Sequence, residues 1–209
     1  MEKWVFKERE KQEWIIITNK IYDINKYPNI KRHLLKYKNI LDGRYRNFAL
    51  KDADKEGRWW YLYGYRPNTN FEGKKIITPY RSVNNRFSYT DSSFYSSIDI
   101  FYINVKNDSY NLKYILAIIN SSLILYWLKL NCKRKGIMLE LYSTPLQTIP
   151  IMESKNQVPY ITLVNRILTA KKANPQADTN ALEAKIDRMV YDLYGLTDEE
   201  IAIVEDIVG

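Results

Sequence analysis

Three residues near the end of the chain have the types that metal-dependent cleavage of a phosphodiester uses. Asp178, Glu183 and Lys185 follow the order D-x4-E-x-K, a spacing that also occurs in the ion-binding signature of many nucleases. Such a reaction needs two carboxylates that converge on a divalent ion and a lysine beside the attacking water. Here all three stand at the start of one predicted amphipathic helix. We therefore favour a structural interpretation, in which Asp178 caps the helix, Glu183 is an acid of its first turn and Lys185 is a solvated side chain.

His33 and Cys132 are the single histidine and the single cysteine of the chain. One histidine excludes a multi-histidine metal site and leaves little for a Ser-His-Asp arrangement, and its place in a predicted helix favours a surface side chain. The adjacent basic run could lower the pKa of the Cys132 thiol, although such a neighbourhood is more often incidental. The seven glycines form no phosphate-binding loop. We therefore predict no catalytic residue and no metal site.

Arginine and asparagine recur together in two predicted loops, and a third segment is a compact basic run. The three segments are Tyr65 to Asn68, Pro79 to Phe87 and Lys133 to Gly136. Arginine can bind guanine with two hydrogen bonds, asparagine can do the same with adenine, and both bind phosphate. Each segment alone could equally be a solvated loop. Their recurrence in one chain favours nucleic-acid binding.

The distribution of charge supports the same interpretation. The formal net charge is +8, and residues 1–150 hold 26 Lys and Arg against 14 Asp and Glu. Residues 151–209 hold 6 against 10, so their net charge is negative. A basic body favours a polyanionic partner. Lysines that only maintain solubility would produce the same excess, and charge alone does not separate the two alternatives.

The bulk composition is that of a globular protein, with 45 % hydrophobic and 27 % charged residues. A chain of 209 residues can bury a sizeable core and fits one large domain or two small ones. No signal peptide follows Met1, and the longest apolar run, near Ile115 to Leu130, is too short and polar to span a bilayer. A lone cysteine indicates a reducing compartment. We expect a cytoplasmic chain with no membrane partner.

Short strands and one helix are predicted before residue 110. The β-branched run from Glu13 to Thr18 predicts a buried strand. Apolar spacing predicts a helix from Pro28 to Leu41, with Pro28 in its first turn and Gly43 as its stop. The aromatic run from Trp59 to Tyr65 alternates like a strand that would hold the next loop rigidly. Two further strands are expected at residues 74–80 and 97–105.

The remainder of the chain is mainly helical in period. The apolar run from Asn111 to Leu130 breaks at Asn120-Ser121-Ser122, which predicts two helices with Ser121 or Ser122 capping the second. A strand is expected at residues 137–141. Further helices are predicted from Tyr160, from a cap at Asp178 or Thr179 to Gly195, and after a capping box formed by Thr197 and Glu200. The expected fold is α+β: a twisted β-sheet with packed helices in residues 1–152 and a C-terminal helical subdomain in residues 153–209.

Several blocks in order are similar to one known family. The blocks are "YPNIKRHLLKYKNILDGR", "KKIITPYRSVNNRFSY", "SSFYSSIDIFYI", "LKYILAIINSSLILYWLKL" and "KRKGIMLELYSTPLQTIPI". Together they resemble the TaqI-like C-terminal specificity domain, the target-recognition part of adenine-N6 DNA methyltransferases and of fused type IIG restriction–modification enzymes. The later run "ADTNALEAKIDRMVYDLYGLTDEEIAIVE" resembles the helical end of the same fused enzymes. The resemblance covers about residues 14–206.

The resemblance implies a DNA-binding fragment without catalysis of its own. The family's methyltransferase domain carries an N-P-P-Y motif and a glycine-containing S-adenosylmethionine motif, and neither occurs here. We therefore expect an excised recognition domain with no cofactor. S-adenosylmethionine and Mg²⁺ would belong to the methyltransferase and nuclease domains that this chain lacks. The implied partners are double-stranded DNA and the methyltransferase domain of a bacterial or archaeal parent enzyme, with the chain itself a monomer.

The residues expected to face DNA come from the basic segments. They are Arg66, Asn68, Arg81, Asn84, Asn85 and Arg86 in loops, Lys133, Arg134 and Lys135 as phosphate contacts, and Arg44 and Arg46 as weaker candidates. Two alternatives remain open at this point. The aromatic surface could bind another protein, or Asp178, Glu183 and Lys185 could form a small metal-dependent nuclease.

Overall fold

A computed structural model describes residues 3–6, 14–44, 57–62, 71–96, 99–105 and 109–209. Its helices and mixed sheets confirm the α+β prediction. The chain divides into two compact units, one of residues Lys11–Asn68 and one that joins Met1–Glu10 to Thr69–Gly209. The expected boundary after residue 152 stays a prediction. The helices beyond it share one core with the preceding sheet and helices. The two units are described in turn.

Among its described residues, the smaller unit contains a short 3-10 helix, Ile24–Lys26, and two α-helices, α1 (Pro28–Leu35) and α2 (Lys38–Arg44). Pro28 occupies the first turn of α1, as predicted, because proline has no N–H to leave unsatisfied there. The prediction of a single helix from Pro28 to Leu41 is wrong, because a turn at residues 36 and 37 separates α1 from α2. Gly43 lies inside α2 and does not end it.

The strands predicted in this unit are also wrong over its described residues. Residues 14–18 have no strand partner, and Trp14 is 94 % exposed. Side-chain hydrogen bonds hold the segment instead, because the Thr18 hydroxyl donates to the Trp60 carbonyl and the Trp60 indole N–H donates to the Ile21 carbonyl at 2.8 Å. Residues 58–62 form turns and irregular chain in place of an alternating strand. The remainder of that aromatic run lies outside the described residues.

The larger unit contains a four-stranded sheet. Its strands are β1 (Trp4–Val5), β2 (Lys75–Pro79), β4 (Ser88–Thr90) and β5 (Ile100–Ile103), in the order β1-β4-β2-β5. β1 runs parallel to β4, and the other pairs are antiparallel. Ile76 and Ile77 of the central strand β2 are fully buried, as their place within the sheet requires. β2 and β5 confirm the two strands predicted at these positions.

A second, smaller sheet continues from the first through Tyr80. It consists of β3 (Arg81–Ser82), β6 (Arg134–Lys135) and β7 (Met138–Glu140), with β7 in the centre. The Tyr80 N–H donates to the Asp99 carbonyl beside β5, and its carbonyl accepts from the Leu141 N–H, each at 2.7 Å. One residue is therefore hydrogen-bonded into both sheets, which fixes the direction in which β3 leaves β2.

Six helices follow along the rest of the chain. They are α3 (Leu112–Ile119), α4 (Ser122–Asn131), α5 (Ser143–Gln147), α6 (Val158–Ala173), α7 (Asn180–Tyr194) and α8 (Asp198–Val208). α3 is central: its Leu116 and Ile118 are fully buried and pack with Val164 of α6 and Val190 of α7. The capping box of Thr197 and Glu200 and the end of α7 at Gly195, which has a φ of +71°, confirm the predictions for the C-terminal helices.

The predicted break at Asn120-Ser121-Ser122 is confirmed, and each of its residues has a different partner. The Asn120 side chain forms two hydrogen bonds with the backbone of Phe87. Its Oδ1 accepts from the Phe87 N–H, and its Nδ2 donates to the Phe87 carbonyl. Ser121 caps α4 by accepting from the Ile124 N–H. The Asp187 carboxylate of α7 accepts the N–H of Ser122 at 2.7 Å and its hydroxyl at 2.9 Å. The break thus ties the sheet and α7 to the central helices.

No single helix among the described residues is long and apolar enough to cross a membrane. α3 and α4 reach that length and hydropathy only as a pair, and they are bent by 66° at the break. Leu116, Ile118, Ile124 and Leu128 of this pair are buried in the core of the larger unit.

We predict that Asp187→Ala lowers the free energy of unfolding by about 1–3 kcal/mol, because it leaves two donors of Ser122 without their acceptor. The matched control is Asp192→Ala on the same helix, whose exposed pair with Arg188 should change stability by less than about 0.5 kcal/mol. Urea denaturation of both variants measures the difference. Equal losses would contradict the role assigned to Asp187.

Candidate nucleic-acid interface

The small sheet of β3, β7 and β6 brings two of the predicted basic segments together. Arg81 pairs with Glu140, and Arg134 and Lys135 pair with Leu139 and Met138. The same register places Lys133 opposite Glu140, whose N–H donates to the Lys133 carbonyl at 2.9 Å. Segments about 50 residues apart in sequence are therefore separated by one strand in space.

The alternation of side chains sorts these residues between two faces. Leu139 and Ser82 are 2 % and 4 % exposed, so their face of the sheet points to the core. Arg81, Lys133 and Lys135 belong to the opposite face. Met138, the partner of Lys135, and Val83, two residues after Arg81, are each 42 % exposed there. This outward face carries three cations. We define the basic surface as this face together with the adjoining loop residues Asn84 and Arg86.

Arg134 does not share the outward face. It lies opposite the buried Leu139, and its guanidinium donates to the carbonyl of Lys129 in the last turn of α4 at 2.9 Å. A cation at this place satisfies a helix-end carbonyl and interacts favourably with the negative end of the helix dipole. The three consecutive cations, which look equivalent in the sequence, thus divide into two outward lysines and one arginine that caps a helix.

A tight turn joins β6, which carries Lys135, to β7. Lys135 pairs with Met138, so Gly136 and Ile137 form a two-residue loop. Gly136 has a φ of +62°, which fits the first central position of a type II′ turn and favours glycine there. Ile137 at the tip is 78 % exposed. The hairpin therefore projects a basic strand with an apolar tip.

The loop between β3 and β4 divides its two asparagines. Asn85 is 3 % exposed, and its side-chain amide donates to the carbonyls of Ile119 and Ser121 at 3.1 and 2.9 Å. The expectation that Asn85 contacts DNA is therefore wrong, since its donors are used inside the fold at the helix break. Asn84 and Arg86 on either side are exposed. Burial of Asn85 anchors the loop and leaves its neighbours pointing outward.

Arg81 is held by two different contacts. Its Nε and Nη2 both donate to Oε1 of Glu140, at 3.2 and 3.1 Å, and its guanidinium lies 4.8 Å from the ring of Tyr80. The Arg81 side chain keeps 37 % of its surface exposed, against 17 % for Glu140. The hydrogen bond to Glu140 raises the pKa of Arg81, so its positive charge persists at every ordinary pH.

Other expected DNA-facing residues stay predictions. Arg46, Arg66 and Asn68 lie outside the described residues. Arg44 is the last residue of α2, and only its backbone is described.

The nuclease-like spacing has a structural explanation. The Glu183 carboxylate forms an ion pair with Lys3 at 2.9 Å and accepts from the Thr179 hydroxyl at 2.7 Å. Burial acts to raise the pKa of Glu183, but the Lys3 charge and these hydrogen bonds hold it below its ordinary value. Asp178 accepts the Asn180 N–H at the start of α7, and Lys185 is exposed. Over the described ranges, no three His, Cys, Asp or Glu side chains cluster as metal ligands.

The single cysteine and the single histidine also have ordinary surroundings. Cys132 is 8 % exposed, and burial raises the pKa of its thiol to about 11, so the neighbouring cations do not activate it. His33 is exposed on α1, where its ring lies 5.6 Å from the ring of Tyr37.

Residues 24–151 match the TaqI-like C-terminal specificity domain, a segment that contains the whole basic surface and the helix break. The chain belongs to this family. The TaqI-like match confirms the predicted resemblance and supports a role in DNA target recognition, in a specificity domain that is not catalytic.

One curated relative of this TaqI-like chain is the type II methyltransferase M.MjaIV of Methanocaldococcus jannaschii. The two are 31 % identical over 131 residues, which is 59 % of this chain and 42 % of the relative. The chain therefore matches less than half of the length of that methyltransferase.

We expect Asn85→Ala to lower the free energy of unfolding by about 1–3 kcal/mol, because the carbonyls of Ile119 and Ser121 both lose the hydrogen bond from the Asn85 amide. The adjacent exposed Asn84→Ala is the matched control and should change it by no more than about 0.5 kcal/mol. Thermal unfolding of the pair measures this contrast. If Asn84→Ala proved the more destabilising, the anchoring role of Asn85 would be refuted.

The Cys132 thiol is expected to react slowly in the folded chain. A pKa raised to about 11 leaves the thiol protonated near pH 8, and burial blocks access to it. Titration with a thiol-specific chromogenic disulfide should show slow reaction in buffer and fast reaction in urea. Equal rates in the two conditions would show that the thiol is accessible in the folded chain.

Proposed function

We propose that this chain binds double-stranded DNA through its basic surface and selects the target of a methyltransferase. The observation that carries the proposal is the outward face of the small sheet, where Arg81 lies on one side of the central strand β7 and Lys133 and Lys135 lie on its other side. Membership of a specificity-domain family supports the same role. Within the described part of the chain, Lys133 and Lys135 have no ion-pair partner, so both charges remain available to phosphates.

A division of labour explains why such a domain exists. An enzyme that modifies a base must take that base out of the duplex stack, and a separate domain can hold the duplex and read its sequence. We propose that the catalytic part of the parent protein is an adenine-N6 methyltransferase fused to a nuclease. It would use S-adenosylmethionine and Mg²⁺, while this chain acts as a monomeric recognition part. What supports the recognition part of this proposal is the set of outward cations on the basic surface, together with membership of the specificity-domain family.

The surface has the chemistry that duplex binding requires. Lysines contact phosphates, and each phosphate contact releases counterions and makes affinity depend on salt. Polar side chains such as Asn84 and Arg86 stand on an anchored loop beside these lysines, where base edges or further phosphates could be contacted. The exposed Ile137 and Met138 add apolar area to the same surface.

We predict that the 209-residue chain binds duplex DNA with an affinity that falls steeply with salt. The double variant Lys133→Ala, Lys135→Ala should weaken binding to all duplexes and reduce the slope of log affinity against log salt by about 2, which is roughly 0.9 per lost phosphate contact. Fluorescence anisotropy of a labelled duplex between about 50 and 200 mM salt measures both effects.

The matched control is the double variant Lys155→Ala, Lys172→Ala, which removes two exposed lysines outside the basic surface. It should leave the slope close to that of the unmodified chain. Equal changes in the two double variants would show that net charge and not the basic surface determines binding. No salt-sensitive binding at all would refute the proposal and favour a protein partner.

A further inference from the structure

We propose that Arg81 reads a guanine base and that Glu140 and Tyr80 are the positioning residues for it. This inference rests on the proposed function, because it assigns to one residue of the basic surface the task of base recognition. The two lysines of that surface would supply phosphate contacts, which carry no sequence information.

The hydrogen bonds of Arg81 occupy one edge of its guanidinium. An arginine has five N–H donors in a fixed planar fork. Nε and Nη2 each give one N–H to Oε1 of Glu140. The three remaining N–H groups belong to Nη1 and Nη2, and two of them point in parallel from the end of the fork. That end edge can donate two parallel hydrogen bonds to a pair of adjacent acceptors.

Guanine presents such a pair of acceptors in the major groove. Its O6 and N7 lie side by side, and a bidentate contact from arginine is the commonest specific contact of this kind. The other DNA group that can accept from the same edge is a phosphate. The structure favours the base, because the adjacent carboxylate offsets the charge of Arg81 and so weakens the attraction that a phosphate contact depends on.

The supports of Arg81 are themselves fixed. Glu140 stands directly opposite Arg81 on the paired strand and is only 17 % exposed. Tyr80 is hydrogen-bonded through its backbone to both sheets, and its ring lies 6.3 Å from that of Phe101 on β5. An arginine that is already oriented loses less conformational entropy on binding. Pre-orientation also fixes the direction of the free end edge, which a bidentate contact to two adjacent acceptors requires.

The experiment begins with selection of duplexes from a random library by the 209-residue chain. Each guanine of the selected duplex is then replaced in turn by 7-deazaguanine, which lacks the N7 acceptor. At one position the replacement should weaken binding of the unmodified chain about tenfold. It should cost the variant Arg81→Ala almost nothing at that same position, whereas Arg81→Lys, whose ammonium can still donate to N7, should keep part of the penalty. Arg81→Lys should still bind unselected DNA, because it keeps its charge.

Glu140→Gln tests the positioning role separately. This variant keeps the volume of the side chain but removes its charge, so it should bind unselected duplexes somewhat more tightly and discriminate severalfold less between the selected duplex and its 7-deazaguanine form. The matched control is Glu153→Gln, an exposed residue outside the basic surface, which should change neither quantity. A residue with only a structural role would alter both affinities in parallel and lower the thermal stability.

The outcomes separate this inference from the proposed function. A selected pool without a guanine preference, or a 7-deazaguanine penalty that persists in Arg81→Ala, overturns the assignment of Arg81. Salt-sensitive binding that depends on Lys133 and Lys135 would still stand in either case. Absence of salt-sensitive DNA binding by the unmodified chain would instead overturn the proposed function and this inference with it.

Discussion

The polar break between α3 and α4 is the constraint on which the larger unit depends. Two strongly apolar helices meet there, and the helix ends would bury unpaired carbonyl and amide groups unless each found a partner. Asn120 pairs with the backbone of Phe87, Asp187 accepts both donors of Ser122, and Asn85 donates to the carbonyls on either side of the break. Two separate parts of the chain, the loop between β3 and β4 and the helix α7, are thereby fixed to one point in the core.

The same interactions position the basic surface. Asn85 and Phe87 lie in the loop that connects β3 to β4, so their attachment to the helix break determines where β3 stands. β3 in turn pairs with β7, and Tyr80 links this small sheet to the larger one. Arg134 adds a second attachment by donating to the carbonyl of Lys129 at the end of α4. Hydrogen bonds to the core thus fix the position of the small sheet, and its outward face carries the cations.

Prediction from the sequence succeeded where the signal is local. The break at residues 120–122, its serine cap, Pro28 in a first helical turn and the capping box of Thr197 and Glu200 all follow from interactions within a few residues. It failed for residues 14–18 and 58–62, where apolar and aromatic composition predicted strands. A strand needs a partner, and the side-chain bonds of Thr18 and Trp60 hold these segments without one.

Composition and the order of motifs in the sequence determined that this chain is an α+β protein with a basic body and no recognisable catalytic constellation. They also identified the family and the segments that contain the candidate surface. Only the tertiary structure decided which of two adjacent asparagines is buried, and which of three adjacent exposed cations donates to the end of a helix. Neighbouring residues on a strand point to opposite faces, and the face that becomes the core is set by strands and helices distant in sequence. Residue type alone therefore could not assign Asn85, Arg134 or Glu140 to their roles.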